Sequence, residues 1–370
     1  NCLPDLGIQH GSRLGGDEFT VILEGITRPE HVGTIAEKVL EAFKKPLMLG
    51  DEEINVSTSI GIAIYPTDAD DSDSLIKCAD HAMYRSKEKG RGGYQFFARQ
   101  VNEIVDERLK FEIDLRNAIE FNEFTLYYQP IVDIRTGSVS GAETLIRWDQ
   151  GEQGMVYPDR FIPLLEEIGL IVPLGEWVLR SACRQYIQWK EQGIEPKRLC
   201  INMTGREFRQ MNLISRIAGI LKETGMEPDR LELDITENTL KEQLGNTDQS
   251  SHYMAALSRL KKMGVHIAMD DFGTGYSSLK DLVHFQVDSL KIAPDFVRDI
   301  QENSSARAVV TTITGMGREF GLNIVAEGVE SPEQLEILQS LGCNEAQGVL
   351  FGEPMSAAHF GEYLLRQRSV

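Results

Sequence analysis

The sequence predicts an α/β protein in two parts: a (β/α)8 TIM-like barrel over the larger C-terminal part, and a smaller α/β unit before it. Three observations carry this expectation. Strand-like and helix-like patterns alternate over about 260 residues, near the usual size of such a barrel. Eight of the strand patterns suggest closure of a largely parallel sheet. Polar residues recur within or at the ends of those apolar strands, where a barrel gathers its strand ends at one mouth.

In the first part, Phe19 to Leu23 is a β-rich run that follows Gly15-Gly16-Asp17-Glu18. His31 to Phe43 is helical, with Val32, Ile35, Ala36, Val39, Leu40 and Phe43 on one face. Ile54 to Ile64 reads as one or two strands, Ser74 to Lys89 as a helix stopped by Gly90, and Tyr94 to Phe97 as a last short strand. The order β-α-β-α-β suggests a small α/β unit over residues 1–100. Val101 to Glu120 interleaves Ile104, Leu109, Ile113, Leu115 and Ile119 with charges, the pattern of a connecting helix over 101–120.

The barrel is expected over residues 108–370. Its strands are Thr125 to Tyr128, Ser140 to Arg147, Leu199 to Asn202, Leu231 to Thr236, His266 to Met269, Ser289 to Ile292, Asn323 to Ala326 and Glu345 to Gly348. Helices are read at Gly175 to Gln192, Glu207 to Thr224, His252 to Met263, Ala306 to Phe320 and Pro332 to Leu341.

Within this part, the run Val265 to Met269 stops at the adjacent carboxylates Asp270 and Asp271, and Gly273 and Gly275 then permit a sharp turn. Paired carboxylates at a strand end repel one another, and a bound dication would use both. A solvated turn is the alternative for that stretch alone. The other strands supply Glu143, Asn202, Asp234, Lys291, Glu327 with Glu330, and Gln347. Together these point to a metal-centred site. An oxygen-rich donor set selects Mg²⁺ or Mn²⁺ over zinc. Adjacent aspartates suit two ions roughly 4 Å apart, as in phosphodiester hydrolysis.

Composition narrows the class. The net charge of −19 argues against binding long nucleic acid. No apolar run approaches the roughly 20 residues of a membrane span, and no signal peptide is visible. The five scattered cysteines form no C-x-x-C pair and read as free thiols of a reducing, cytoplasmic compartment. The chain starts at Asn1 and reads as a fragment, so any membrane attachment of its parent would lie upstream.

Two resemblances sharpen these expectations. Arg13-Leu14-Gly15-Gly16-Asp17-Glu18-Phe19, Ser59 to Ala63, and Ala79-Asp80 through Lys87 and Arg91 resemble the GGDEF domains of diguanylate cyclases. The resemblance implies a nucleotidyl-cyclase-like fold and a GTP site with Gly15, Gly16, Asp17, Glu18, Lys87 and Arg91. Only fourteen residues precede Gly15, fewer than the family's domain needs, and Leu6 and Gln9 stand where its R-x-x-D would lie. The first unit is therefore expected to be a partial domain, a remnant or a regulatory module, that gives this chain no cyclase activity.

The second part resembles the EAL family of cyclic di-GMP phosphodiesterases. The match rests on Tyr128-Gln129-Pro130, Glu143-Thr144-Leu145, Arg147-Trp148, Asn202, Leu231 to Glu237, Asp270 to Leu279, Lys291, Ala326 to Glu330 and Gln347-Gly348. It implies metal-dependent hydrolysis of cyclic di-GMP to linear pGpG by a homodimer. Glu143, Asn202, Asp234 and Asp270 would hold one metal, and Asp270 with Asp271 the second. Lys291 and Glu327 would handle the attacking water, and Glu237 would steady the loop after Asp271. Gln129, Leu145, Arg147, Glu330 and Gln347 would surround the nucleotide. The chain departs from the family at Thr144 (usually Ala), Asp234 (usually Glu, about 1.5 Å longer), Ala293 (usually Asp) and a longer stretch from Asn238 to Tyr253. The alternative is a weak or inactive domain that acts as a cyclic di-GMP receptor. An unrelated barrel enzyme acting on a phosphorylated substrate is a third reading.

Overall fold

The structure, a computed structural model, describes residues 10–26, 28–44, 47–49, 52–54, 56–88, 92–151, 154–244, 247–274 and 285–368. The chain forms two compact units, Asn1–Leu115 and Arg116–Val370.

In the first unit, β1 (His10–Gly15) and β2 (Glu18–Ile22) form an antiparallel hairpin that turns at Gly16, whose φ of 55° suits glycine. A helix spans Pro29–Phe43. β3 (Leu47–Leu49) pairs antiparallel with β4 (Glu52–Ile54). β5 (Ile60–Ile62) lies parallel to β6 (Tyr94–Phe96), and the helix Ser72–Glu88 makes the crossover. Ala36, Ile62 and Phe96 form a small core, with Val32, Ile60, Ile64, Tyr94 and Leu109 against it. The expected β-α-β-α-β order is thus too simple. Short hairpins precede and follow the first helix, because Gly16 and the short connections within 43–60 permit tight antiparallel returns. The helix Arg99–Phe121 runs across the boundary between the units.

The second unit is a closed barrel. Its strands are β7 (Phe124–Asp133), β8 (Val139–Asp149), β10 (Arg198–Asn202), β11 (Leu231–Thr236), β12 (His266–Phe272), β13 (Ser289–Ile292), β14 (Asn323–Ala326) and β15 (Glu345–Gln347). The order β8-β10-β11-β12-β13-β14-β15 is closed by β7, which pairs with both ends. Two-stranded additions, β9 (Met155–Val156) and β16 (Met355–Ser356), extend β8 and β7.

One strand departs from a uniformly parallel barrel: β7 runs antiparallel to β8 and β15. The reason lies in the connection. Only residues 134–138 join β7 to β8, and Asp133 Oδ1 accepts the amides of Arg135 and Thr136 in that turn. A parallel return needs a dozen or more residues. The expected helix from Glu207 to Thr224 is also two helices, Gly205–Phe208 and Leu213–Thr224. The first is fixed by a capping box in which Thr204 and Glu207 exchange hydrogen bonds.

Strand alternation sorts the side chains. Leu231, Leu233 and Ile235 join the apolar shell beneath the helices, while Glu232 and Asp234 face the interior. The interior is layered. At the floor, Arg198 donates to both oxygens of Glu345 (2.8 and 2.5 Å) and to Glu232 Oε1 (3.0 Å), Ser289 donates to Glu232 Oε2, and Asn323 adds a second donor to Glu345 Oε2. Ile131, Cys200 and Val325 pack as an apolar layer. A second polar layer at the mouth forms the site. Among the described residues no helix is long and apolar enough to cross a membrane.

Candidate active site

Lys291 is the centre of the mouth. It points inward from β13 and is 0% exposed. Its Nζ lies 2.6 Å from Glu327 Oε1, 3.0 Å from Asp234 Oδ2, 3.7 Å from Asp270 Oδ1 and 3.8 Å from Glu143 Oε1. Four carboxylates from four other strands or strand ends thus meet around one ammonium. Burial alone would lower the pKa of Lys291, but the four carboxylates outweigh it and raise it well above the usual value.

The carboxylates are in surplus. Asp234 is 1% exposed, and beyond its ion pair with Lys291 neither of its oxygens accepts a hydrogen bond. Burial, reinforced by Glu232, Asp270 and Glu143, pushes its pKa up to about 8 against the pull of Lys291. Burial likewise raises Glu327 well above the usual range. Asp271 is raised first by burial and then by its neighbour Asp270. Such a set is frustrated without a further cation. Oxygens of Asp270, Asp271 and Glu327 lie within 4.8 Å of one another, so these residues could share a metal ion. The donor set therefore fits divalent-metal binding.

Amides tie the other side of the ring. Asn202 Nδ2 donates to Glu143 Oε1 at 2.7 Å. Gln347 Nε2 donates to Glu143 Oε2 and, at 3.0 Å, to Gln129 Oε1. Gln129 in turn donates to the Gly352 carbonyl at 3.0 Å. At the end of β12, Asp271 adopts a left-handed φ of 53°, a costly conformation for a side chain larger than glycine, and its amide donates to Asp270 Oδ1 at 2.8 Å. The Gly273 amide donates to Glu237 Oε2 at 2.9 Å, so the buried Glu237 anchors the turn after the two aspartates.

The family model of the EAL domain matches residues 112–354, from before β7 to beyond β15. The chain belongs to the EAL domain family. A second model, diguanylate cyclase, GGDEF domain, matches residues 9–93. The bifunctional diguanylate cyclase/cyclic di-GMP phosphodiesterase MucR of Pseudomonas aeruginosa is 40% identical over 346 residues, 94% of this chain and 50% of MucR. Cyclic di-GMP phosphodiesterase PdeR of Escherichia coli K12 is 35% identical over 355 residues, 96% of this chain and 52% of PdeR. The chain spans about half the length of the curated relatives it matches. Among solved structures, the PaMucR phosphodiesterase–c-di-GMP complex is similar with a TM-score of 0.63 and 39% identity, over 67% of this chain and 98% of that one. The EAL domain of Mycobacterium smegmatis DcpA gives a TM-score of 0.56 and 33% identity, over 66% and 98%.

EAL domain phosphodiesterases are generally dependent on divalent metals, in keeping with the acidic groups at this mouth. Of the residues singled out in the EAL domain's sequence, Glu143, Asn202, Asp234, Asp270, Asp271, Lys291, Glu327, Gln129 and Gln347 come together here. Glu330 sits farther out, exposed, its amide donating to Gln334 at 2.7 Å. Arg147 and Leu145 share the face of β8 that carries Glu143. In the first unit Gly15, Gly16, Asp17 and Glu18 are exposed at the hairpin tip, and Lys87 lies in the last turn of the helix Ser72–Glu88. Arg91 lies outside the described residues, as does Gly275.

Sequence reasoning overlooked two features. The rings of Tyr127 and Tyr157 lie over the Arg147 guanidinium, with centroids at 5.9 and 4.9 Å. Tyr127 could have been found from its place two residues before Gln129 on one strand face, but Tyr157 sits in no periodic pattern. The second feature is Cys200, which bonds Glu232 Oε1 at 3.1 Å beneath Asp234.

Proposed function

We propose that this chain is a phosphodiesterase that opens cyclic di-GMP to linear pGpG, with Mg²⁺ or Mn²⁺, two ions in all. The observation that carries the reading is the buried carboxylate of Asp234, which shares the one ammonium of Lys291 with Glu143, Asp270 and Glu327. That charge surplus calls for a cation. Glu143, Asn202, Asp234 and Asp270 would hold one ion and Asp270 with Asp271 the other. The ions would supply Lewis-acid charge at the phosphoryl and leaving oxygens.

The chain's own groups do the rest. Lys291 holds the attacking water, and Glu327, 2.6 Å from Lys291 Nζ, accepts its proton. The water oxygen bonds to phosphorus, the P–O3′ bond breaks, the departing 3′ oxygen takes a proton from solvent water, and Glu327 returns its own to solvent. Glu237 fixes the turn that carries Asp271 through the Gly273 amide. Gln129, Leu145, Arg147, Glu330 and Gln347 flank the nucleotide.

A second reading, a receptor that binds cyclic di-GMP with little turnover, is favoured by one observation. Asp234 lies 3.0 Å from Lys291 on a side chain one methylene shorter than glutamate. Chromatography of cyclic di-GMP incubated with Mn²⁺ and the whole chain, beside Asp270→Ala, separates the readings. Metal-dependent pGpG that disappears in the variant supports the enzyme; binding without product supports the receptor.

The first unit, taken as residues 1–100 before a connecting helix at 101–120 and a second domain at 108–370, is proposed to bind GTP and tune the second without cyclase activity. The parent protein is proposed to be a cytoplasmic-facing homodimer. Hydrolysis that does not change across a GTP titration would count against the first assignment.

A further inference from the structure

Arg147 presents an unusual group. It is 9% exposed, yet among the described residues no carboxylate lies within ion-pair distance of it. Its hydrogen bond goes to the carbonyl of its neighbour Ile146, at 2.9 Å. The guanidinium lies instead over two tyrosine rings, Tyr127 of β7 and Tyr157 at the start of the helix Pro158–Ile168. Glu143 and Asp159 act on this cation only from beyond contact distance, so a fork fixed by aromatic faces keeps donors available to a ligand.

Strand register places this fork relative to the carboxylates. Glu143, Leu145 and Arg147 are two residues apart on one face of β8. Across the pair, Gln129 faces Glu143 and Tyr127 faces Leu145. The rungs therefore run outward from the ring of carboxylates, past Leu145 and Tyr127, to Arg147. Four residues of strand put about 13 Å between the first rung and the last. A nucleotide whose phosphodiester sits at Glu143 and whose base lies along β8 would meet the outer rung with that base.

Tyr157 completes that rung. It is 59% exposed, although Val156 before it and Phe161 one turn later are buried at 6% and 0%. The backbone is thus anchored while the ring stands in solvent beside a charged fork. Exposed aromatic faces stack bases, and an arginine fork matches the O6 and N7 acceptors of guanine.

We infer that Tyr157 is a specificity-determining residue: its ring and the Arg147 guanidinium form a platform for one guanine of the substrate, with the Tyr127 ring also in contact with Arg147. This rests on the phosphodiesterase reading above and names the part of that site that selects the base. Adenine lacks the O6 acceptor, so cyclic di-AMP loses the fork's contact but keeps the stacking. A phosphodiester without bases loses both.

The test uses the whole chain with Mn²⁺ and compares wild type, Tyr157→Ala and Tyr157→Phe. Each is assayed on cyclic di-GMP, cyclic di-AMP and bis(p-nitrophenyl) phosphate. Loss of the ring should raise KM for cyclic di-GMP about tenfold and leave kcat within about twofold. The same change should leave hydrolysis of the base-free ester unaltered, and Tyr157→Phe should behave as wild type. An equal loss on the base-free ester would show a structural role and overturn the inference, as would an unchanged KM. If wild type fails to bind cyclic di-GMP in equilibrium dialysis, the phosphodiesterase reading falls and takes this inference with it. Binding that Tyr157→Ala leaves intact overturns the inference alone.

Discussion

Lys291 Nζ lies 3.0 Å from Asp234 Oδ2, and both residues are sealed from solvent inside the barrel. The pair is the meeting point of structure and chemistry here. One ammonium serves Asp234, Glu143, Asp270 and Glu327, and it cannot neutralise all of them. The same surplus that strains the metal-free fold would attract a divalent cation.

Lys291→Met should therefore be strongly destabilising without metal, by about 3–5 kcal/mol, because it strands buried carboxylates. Millimolar Mn²⁺ should restore part of the loss by binding the folded state alone. Denaturant melts of wild type and variant in EDTA and in Mn²⁺ give the four values needed. An identical loss in both buffers would show that these carboxylates do not take up the ion.

Asp234→Glu should tighten Mn²⁺ binding and raise turnover of cyclic di-GMP at subsaturating metal several-fold. The longer side chain extends the reach of the carboxylate by about 1.5 Å, and a better-placed ligand gains rate. The added methylene in a packed interior should cost about 1–3 kcal/mol of stability. Metal titrations followed by hydrolysis rates decide the matter. A variant with unchanged metal affinity would mean that the native aspartate already reaches.

Much of this architecture was legible in the sequence. The eight strand patterns coincide with the barrel strands because interior strands are short apolar runs interrupted by inward polar residues, as in Leu231 to Thr236. The reversed direction of β7 was not legible from apolar pattern, which carries no direction; only the five-residue connection to β8 encodes it. The site residues were found because a charge inside an apolar strand stands out. Tyr157 was hidden because an exposed aromatic at a helix start looks like ordinary surface. The break at Gln210-Met211-Asn212 was hidden because apolar spacing continues on either side of it.

At the barrel floor, Arg198→Met should leave Glu232 and Glu345 buried without their shared cation. About 3–5 kcal/mol should be lost at pH 8. Burial pushes Glu345 up, but its bonds to Arg198, Ser140 and Asn323 win and hold it below the ordinary 4.5. A depressed carboxylate contributes stability above the unfolded pKa and loses it as pH falls through the folded pKa. The variant's deficit should therefore shrink toward pH 4, where the stranded Glu345 carboxylate can protonate. Denaturant midpoints of both proteins across that range measure the difference. A deficit constant with pH would assign the effect to packing of the arginine stem.

Glu207 supplies the opposite sign. Its carboxylate caps Thr204 at 2.9 Å and is packed so closely on Gly175 that a Cβ there would lie 1.6 Å from Oε1. Burial pushes its pKa from 4.5 up to about 7, against the hydrogen bonds from Thr204. The folded state thus holds the proton more tightly than the unfolded chain. The contribution is full below pH 4.5 and is lost as pH rises through about 7, by up to about 3 kcal/mol. Glu207→Gln keeps an acceptor for Thr204 and removes the ionisation. Its stability should equal that of wild type near pH 5 and exceed it at pH 8, flattening the decline between them. Gly175→Ala, which drives a methyl group into the same carboxylate, should destabilise at both pH values. Urea midpoints for the three proteins at pH 5 and pH 8 provide the check, and a parallel decline in wild type and Glu207→Gln would show that another group titrates.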